Sequence, residues 1–342
     1  LSQLVAVIGM QTGYMGSADA TLDLLERSER AARGLGRERE AADFLFSHWA
    51  AHSQAIQLHR SGQLAHRLLA DSERSDDPVV QAYGRHAWGI HQWDIGNIGE
   101  AYRHLSESNA VVAERANSLD QDQLRHDLQL LSPAMLALNT ALHGKVEDAR
   151  GMFDRIESDA GNHSYDVTVW SAFAVTAAAL MADPSWALRA AERGIAADPD
   201  YSFRFLGAYQ RLGRCWAQAV TGRDADRSLT QAEALIESNL ADPPRSGLTT
   251  WLALLSEMYL ARGRLHEAAD ALRRADASIE AYGQRYAAAF VQLMRARLRL
   301  ELGDPLDAVH LAAAQARETA IAQQAYLFVH RSDDFLGLDR SS

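Results

Sequence analysis

Histidines are the side chains in this chain with the widest choice of chemistry, and there are 13 of them in 342 residues. His48 and His52 are four residues apart, a spacing that places two imidazoles on one face of a helix and could hold a metal ion. No glutamate lies between them, so the zinc-protease helix motif is absent. His86 and His91 are five apart and face different directions. Without a carboxylate or cysteine at a fixed spacing, we predict no metal site and no cofactor.

The other reactive side chains form no enzyme motif. Lys145, the only lysine, lacks the glycine-rich stretch before it and the serine or threonine after it that a phosphate-binding loop needs. The single cysteine, Cys215, excludes an internal disulfide and a multi-cysteine zinc site. Acidic pairs such as Asp76–Asp77 lie in expected turns, where carboxylates commonly cap helices. With no serine nucleophile motif and no dinucleotide fingerprint, we predict that the protein is not an enzyme.

Composition narrows the class of partner. The net charge of −11 argues against direct nucleic-acid binding, which rests on cationic contacts. The longest apolar stretch, 167–182, contains hydroxyl side chains and is too short to cross a membrane, so we expect a buried helix. No signal segment opens the chain, and we predict a cytoplasmic protein. Arginine supplies 33 of the 34 basic residues, which suggests a GC-rich, actinobacterial genome, and the start at Leu1 suggests a fragment.

The elements that must position these side chains follow a repeat of two helices. In residues 247–282, eight positions match the tetratricopeptide repeat (TPR) pattern. They are Leu252, Leu255, Ser256, Tyr259, Gly263, Ala268, Leu272 and Ala275. Turn markers recur at Gly62, Gly96, Gly144, Asp183, Gly222, Gly263 and Gly303, separated by 34, 48, 39, 39, 41 and 40 residues. We therefore predict an all-α, right-handed superhelical solenoid of about seven to eight TPR-like hairpins.

Small residues support this register. A small residue stands seven positions before every marker, as close crossing of two helices requires. The set is Ala55, Gly89, Ala137, Thr176, Cys215, Ser256 and Ala296. This pattern assigns Cys215 a role as a small buried residue rather than a nucleophile.

Helix and domain boundaries follow from local signals. We predict one helix from Ser17 to about Arg33 and a long one over 38–59, and Asp77 with Pro78 should open another. Residues 118–131 add an extra helical segment before Ser132–Pro133 restarts a helix. The chain is thus expected to be a single solenoid, 1–342, with a possible subdomain break near 118–132. Residues 325–342 form its C-terminal cap and tail, which we expect to be frayed from Arg331 onward.

Aromatic residues mark the candidate ligand-binding surface. Five of the seven residues that stand thirteen before a marker are aromatic, on or near the concave face of the first helices. The candidate ligand-binding residues are Trp49, His52, His59, Tyr83, His86, Trp93, Trp170 and Tyr209. Rigid aromatics with a polar tip suit ligand anchoring. The alternative, more common in helical repeats, is that they pack successive first helices together.

The order of segments resembles a known protein region. Residues 26–49 (ERSERAARGLGREREAADFLFSHW), 62–105 and the hairpin at 248–303 resemble the C-terminal TPR region of large bacterial signal-transducing ATPases. Those regulators carry LuxR-type or SARP/BTAD-type DNA-binding domains or class III adenylate cyclases. The likeness covers about residues 17–325. It implies an arm that senses a small molecule or a partner protein and controls an attached ATPase.

Two functions remain open on these grounds. The first is a non-catalytic sensor or docking arm that binds a protein, a peptide or a small effector in its concave groove, alongside other domains of the same polypeptide. The second is a scaffold without a small-molecule ligand, which assembles complexes or self-associates into a homo-oligomer.

Overall fold

The computed structural model describes residues 19–115 and 123–338. Within these ranges the chain forms sixteen α-helices and no strand. The helices are α1 (Asp19–Gly34), α2 (Glu38–Gln54), α3 (Leu58–Ser72), α4 (Pro78–Asp94), α5 (Ile98–Arg115), α6 (Gln123–Leu142), α7 (Val146–Ala160), α8 (Ser164–Leu180), α9 (Pro184–Ala197), α10 (Arg204–Val220), α11 (Ala225–Ile236), α12 (Leu248–Leu260), α13 (Leu265–Tyr282), α14 (Ala288–Glu301), α15 (Leu306–Gln323) and α16 (Tyr326–Leu336). A π-helical turn, Glu237–Ala241, extends α11.

The helices pair into hairpins in chain order. Seven hairpins run from α2–α3 to α14–α15, each with a first and a second helix, while α1 packs on α2 and α16 packs on α15. First helices also pack on the next first helix, as α8 does on α10. This arrangement confirms the predicted all-α, TPR-like solenoid. None of the helices in the described ranges is long and apolar enough to cross a membrane.

The first repeat boundary is not where the sequence analysis places it. Gly62 lies inside α3, and the α2–α3 turn is made by Ile56, which adopts a left-handed φ of 45°. In the fourth hairpin the left-handed residue is Ala182, at φ 58°, rather than Asp183. The other five hairpins use the expected glycines. The turns at 56, 96, 144, 182, 222, 263 and 303 give separations of 40, 48, 38, 40, 41 and 40 residues, so the short spacing of 34 was wrong.

The corrected register changes both residue columns. Trp49 and Val175 replace Ala55 and Thr176 seven residues before the turn, so five of the seven positions are small. Thirteen residues before the turn, Asp43 and Val169 replace the two tryptophans. Only Tyr83, Tyr209 and Phe290 remain aromatic there. The aromatic column is therefore not a property of the repeat.

Several local expectations are met. Asp77 caps α4 by accepting a hydrogen bond from the Val79 amide at 2.8 Å, with Pro78 in the first turn. Residues 167–180 lie in the largely buried α8, and Cys215 is fully buried, where burial raises the pKa of its thiol to about 11.

Other boundaries differ from the expectation. The helix predicted over 38–59 ends at Gln54, because the chain turns at Ile56. Pro133 does not restart a helix but lies within α6. The predicted cap Ser17 and residues 118–122 of the extra segment fall outside the described residues, and residues 123–131 of that segment form the first part of α6. The C-terminal tail is not frayed at Arg331, because α16 continues to Leu336 and buries this arginine.

The apolar core has two clusters. The smaller one joins α1–α6 and runs from Leu25 to Leu128, and the larger one runs from Trp93 to Val329. Ile90 of α4 packs against both. The fourth helix is thus the place where the two clusters meet.

Two distant parts of the superhelix close on each other. The Ser246 amide donates to the carbonyl oxygen of Gln54 at 3.0 Å, and the Arg285 amide donates to that of Asp94 at 2.7 Å. Trp93 stacks on Tyr286 with ring centroids 4.0 Å apart. We call this interface the seam: the C-terminal ends of α2 and α4 on one side, and the loops 242–247 and 283–287 on the other. The seam places α2 and α4, the first helices of the first two hairpins, against the loops that precede α12 and α14, the first helices of the last two hairpins.

A buried charge cluster fixes the terminal helix. The Glu257 carboxylate of α12 accepts hydrogen bonds from Arg331 of α16 and Arg297 of α14, both at 2.8 Å, and from the Trp216 indole at 2.9 Å. Arg331 also donates to the carbonyl oxygen of Leu180 at 2.8 Å. We call these groups the Glu257 cluster. It ties α16 to four first helices of the solenoid.

Candidate ligand chamber

A recess opens on the concave side of the solenoid, where the first helices converge. Its cavity volume is about 90 Å³, within a free volume of about 740 Å³ that includes the opening. We call it the chamber. Its lining residues are Ser53, Gln54, Ile90, Trp93, Leu131, Met135, Leu138, Tyr165, Val169, Ala172, Phe173, Thr176, Phe205, Leu206, Tyr209, Ser246, Gly247 and Tyr286. Five successive first helices, α2 to α10, and both seam loops therefore contribute.

The chamber wall is mainly apolar, because α4, α6, α8 and α10 supply it mostly with aliphatic and aromatic side chains. Ala172 and Val169 of α8 are buried, whereas Phe173 is half-buried beside them. Trp93 is 6% exposed, and its indole N–H has no hydrogen-bond partner among the described residues. An apolar recess with a few polar groups suits a small ligand or a single apolar side chain.

A polar recess adjoins the chamber and shares Tyr165, Phe205 and Leu206 with it. Its cavity volume is about 530 Å³. We call it the antechamber. Its further lining residues are Ser202, Phe203, Arg204, Ser238, Asn239, Asp242, Pro243 and Arg245. The π-helical turn supplies Ser238 and Asn239.

Two arginines against one aspartate give the antechamber a positive balance within a chain of net charge −11. Arg204 is exposed at the start of α10. Arg245 is buried, its guanidinium carbon 5.8 Å from the Phe205 ring centroid, and burial lowers its pKa. Tyr209 donates to the carbonyl oxygen of Ser246, and burial raises the pKa of this phenol well above its usual range. The recess is therefore suited to an anionic group.

The structure brings together two of the eight predicted site residues. Trp93 and Tyr209 both line the chamber. His59 is exposed on α3 and lies apart from it. Trp170 is fully buried and donates its indole N–H to the carbonyl oxygen of Phe153 at 3.0 Å. Its place in the larger core is a packing position.

The other four predicted residues belong to the smaller core cluster or its edge. Tyr83 is fully buried and stacks on Phe46 with centroids 4.1 Å apart, and Trp49 and His86 lie against the same phenyl ring. Burial lowers the pKa of His86 to about 4. His52, also buried, pairs with Gln57 through Nδ1 at 2.6 Å. These aromatic rings pack first helix on first helix, as the alternative interpretation of the column expected.

The histidine pair at His48 and His52 does form the predicted helical face. Their Nε2 atoms are 3.2 Å apart. Burial, and then the nearby His52, lower the pKa of His48 to about 4. Among the described residues no group of three or more histidine, cysteine, aspartate or glutamate side chains is placed to hold a metal ion.

Several chamber residues were missed from sequence. Phe205 and Tyr286 stand outside the repeat columns, at the entrance of α10 and in the loop before α14. Arg245 precedes α12 in a non-helical loop. Phe173 did have a periodic signal, because it lies three residues after Trp170 on α8. Loop residues carry no periodicity, so a period-based search cannot find them.

Comparison with known proteins supports the architecture alone. No protein-family description matches the chain, and no curated protein matches it in sequence. Among solved structures, a Rap protein complexed with competence and sporulation factor aligns over 96% of this chain and 97% of its own, with a TM-score of 0.52 and 10% sequence identity. At that identity the likeness shows a common fold, an all-helical TPR-like solenoid.

Proposed function

We propose that this protein is a docking and sensing arm whose chamber and antechamber together bind a short peptide or peptide-like segment of a partner. One apolar side chain enters the chamber, and an adjoining carboxylate lies in the antechamber. The observation that carries the proposal is the direct contact of the two recesses through Tyr165, Phe205 and Leu206. A ligand with both chemical features can occupy them at once.

The dimensions support this occupant. A cavity of about 90 Å³ holds a single side chain rather than a folded segment. The backbone of the segment would run along the concave face. The positive antechamber favours an acidic residue or a C-terminal carboxylate, since an arginine guanidinium binds carboxylates with two parallel hydrogen bonds.

The biological setting follows from the resemblance in sequence order. We infer that the arm belongs to a bacterial regulator and that occupancy of the chamber controls an attached ATPase, DNA-binding or cyclase module. The neighbouring structure is a Rap protein in complex with competence and sporulation factor. Its likeness in fold is compatible with a role in binding a signal but assigns none.

A displayed random-peptide library panned on the purified protein tests the proposal. Bound peptides should share an apolar residue next to an acidic residue or the C-terminus. Ala172→Phe fills the chamber and should weaken their binding at least tenfold, and Arg204→Glu should do the same by reversing charge in the antechamber. Arg223→Glu is the matched control, because Arg223 is exposed on the distant α10–α11 turn.

Two results would overturn the proposal. One is a library that yields no binder to the folded protein. The other is a set of binders that ignores both Ala172→Phe and Arg204→Glu while the circular dichroism of the variants is native. Phe173→Ala provides a second check, since it enlarges the chamber and should shift the selected peptides toward bulkier apolar residues.

A second candidate function, self-association, has its own observation. The last hairpin exposes Leu300, Leu302, Leu306 and Leu311 around the α14–α15 turn, the last two at 61% exposure. A cluster of exposed leucines often marks a protein interface. Light scattering should then show a concentration-dependent dimer that Leu302→Glu with Leu306→Glu abolishes. A monomer at all concentrations would exclude this function for the isolated chain.

A further inference from the structure

The seam contains a buried carboxyl group with an incomplete set of hydrogen bonds. Asp94, the last residue of α4, is 1% exposed. Its Oδ1 accepts a hydrogen bond from Gln284 Nε2 at 2.7 Å, while Oδ2 is buried without a partner among the described residues. A buried carboxylate is normally stabilised by two or three donors or by a cation. Here a single neutral amide serves it.

Gln284 links this carboxyl group to the rest of the seam. Its Nε2 also donates to the Ser246 hydroxyl at 3.2 Å, and its Oε1 accepts from the Gly247 amide at 2.9 Å. Asp94 and Gln284 are 190 residues apart in sequence. One glutamine side chain therefore joins α4 to both loops of the opposite side of the seam.

Among the residues that the structure describes, no charged group from the surrounding elements compensates an Asp94 anion. From the 283–287 loop, Tyr286 faces it with a phenol whose pKa is raised by burial, and Arg285 contributes its backbone amide. From the 242–247 loop, the Arg245 guanidinium lies over the Phe205 ring. On α4 itself, His91 packs against Gly62 of α3. Burial raises the pKa of Asp94 to about 7, and the Gln284 hydrogen bond opposes that rise.

We propose that Asp94 is a proton-controlled latch, which holds the superhelix closed while its carboxyl group is protonated and releases the seam when the group ionises. In the open state water solvates Asp94 and its pKa returns toward 3.8, the ordinary value. The closed state then loses stability relative to the open state as pH rises from about 4 toward 7. Closure is favoured in mild acid and weakened at neutral and alkaline pH.

Opening of the seam changes access to the chamber. Trp93 and Tyr286, which stack across the seam, also line the chamber, as do Gln54, Ser246 and Gly247. A released seam separates these residues and widens the chamber into a groove. The latch acts on the fold itself, so it does not depend on which ligand the chamber binds.

Hydrogen exchange of the full chain tests the latch. The Ser246 and Arg285 amides bond across the seam and should exchange when it opens. Asp94→Asn keeps the acceptor and removes the charge, so wild type and variant should be protected almost equally at pH 4, close to the ordinary pKa of the carboxyl group. At pH 8 the two wild-type amides should exchange at least tenfold faster than in Asp94→Asn. The Leu255 amide within α12 is the control and should not differ.

Comparison of the two proteins at one pH cancels the intrinsic pH dependence of exchange. A wild-type to variant ratio that is the same at pH 4 and pH 8 would overturn the proposal. If Asp94→Asn does not fold, spin labels at Glu100→Cys and Ala281→Cys in a Cys215→Ser background report the distance across the seam. A distance distribution in this otherwise wild-type protein that does not change over the same pH range would also overturn it.

Discussion

Removal of the Glu257 carboxylate should destabilise the protein more than removal of any surface carboxylate. Glu257→Ala leaves Arg331, whose side chain is only 12% exposed, without its counter-charge, and it also orphans the Trp216 indole. Breaking a buried ion pair in this way costs about 3–5 kcal/mol. That is a large fraction of the roughly 5–15 kcal/mol that stabilises a typical domain.

The reverse substitution should cost less. Arg331→Met leaves Glu257 with Arg297 at 2.8 Å and Trp216 at 2.9 Å, so the anion stays paired. The methionine also fills the apolar space of the arginine stem beside Phe290. We expect a loss of about 1–2 kcal/mol, in the range of an ordinary buried substitution. Glu257→Ala should therefore cost more than Arg331→Met, because Glu257 keeps two of its hydrogen-bond donors when the arginine is replaced, whereas Arg331 loses its carboxylate partner.

Urea unfolding followed by circular dichroism and tryptophan fluorescence measures both losses of unfolding free energy. The comparison requires that m, the slope of unfolding free energy against urea concentration, is the same in all variants. Glu267→Ala is the control, because the Glu267–Arg264 pair is 38% and 40% exposed and solvent-exposed ion pairs contribute little to stability. A Glu257→Ala protein no less stable than Glu267→Ala would refute the stabilising role of the Glu257 cluster. A larger loss of unfolding free energy from Arg331→Met than from Glu257→Ala would refute the argument that the cost depends on how many partners the remaining charge keeps.

Three further predictions concern the N-terminal hairpins and use the same unfolding assay. Because burial lowers the pKa of His86 to about 4, this residue makes the free energy of unfolding fall by about 3 kcal/mol as pH drops from 6.5 toward 4. His86→Leu should remove that part of the pH dependence and leave the part due to His48, whose pKa is also lowered to about 4; an unchanged pH profile would contradict the prediction. Gly84→Ala should destabilise by about 1–3 kcal/mol, since a Cβ would meet the Leu68 carbonyl oxygen at 2.5 Å, whereas Gly151→Ala, in open surroundings, should be neutral or stabilising. Asp77→Ala should cost about 1 kcal/mol through the lost cap of α4, and Asp76→Ala is its control.

The fold could be predicted from the sequence because a helical repeat shows the same pattern of turn and packing residues several times. Five glycines with left-handed φ mark hairpin turns and were found directly. The two exceptions, Ile56 and Ala182, adopt the same backbone at residues that rarely visit it, at a cost of about 1–2 kcal/mol each. Tertiary packing overrides that local preference. A prediction that takes glycines as turn markers therefore places the first hairpin turn at Gly62 instead of Ile56.

That shift placed Trp49 in the aromatic column, and the one-residue shift from Ala182 to Asp183 placed Trp170 there. Trp49 and Tyr83 both belong to the smaller core cluster. With the turn placed at Ile56, Trp49 stands seven residues before it, in the column of helix-packing positions rather than in the aromatic column. The chamber depends on contacts between parts of the chain far apart in sequence, such as Trp93 with Tyr286. Periodicity describes neighbours in a repeat and contains no information about such closure.

Closure of the seam also alters how the molecule can come apart. In an open solenoid each hairpin contacts only its neighbours, so stability is nearly additive and the ends fray first. Here the hairpin at α4–α5 and the loop before α14 stabilise each other across 190 residues of chain. Loss of the α14–α15 hairpin would expose surface both on the preceding hairpin and across the seam. The repeats should therefore unfold with the cooperativity of a ring, in which neither terminal hairpin is a free end.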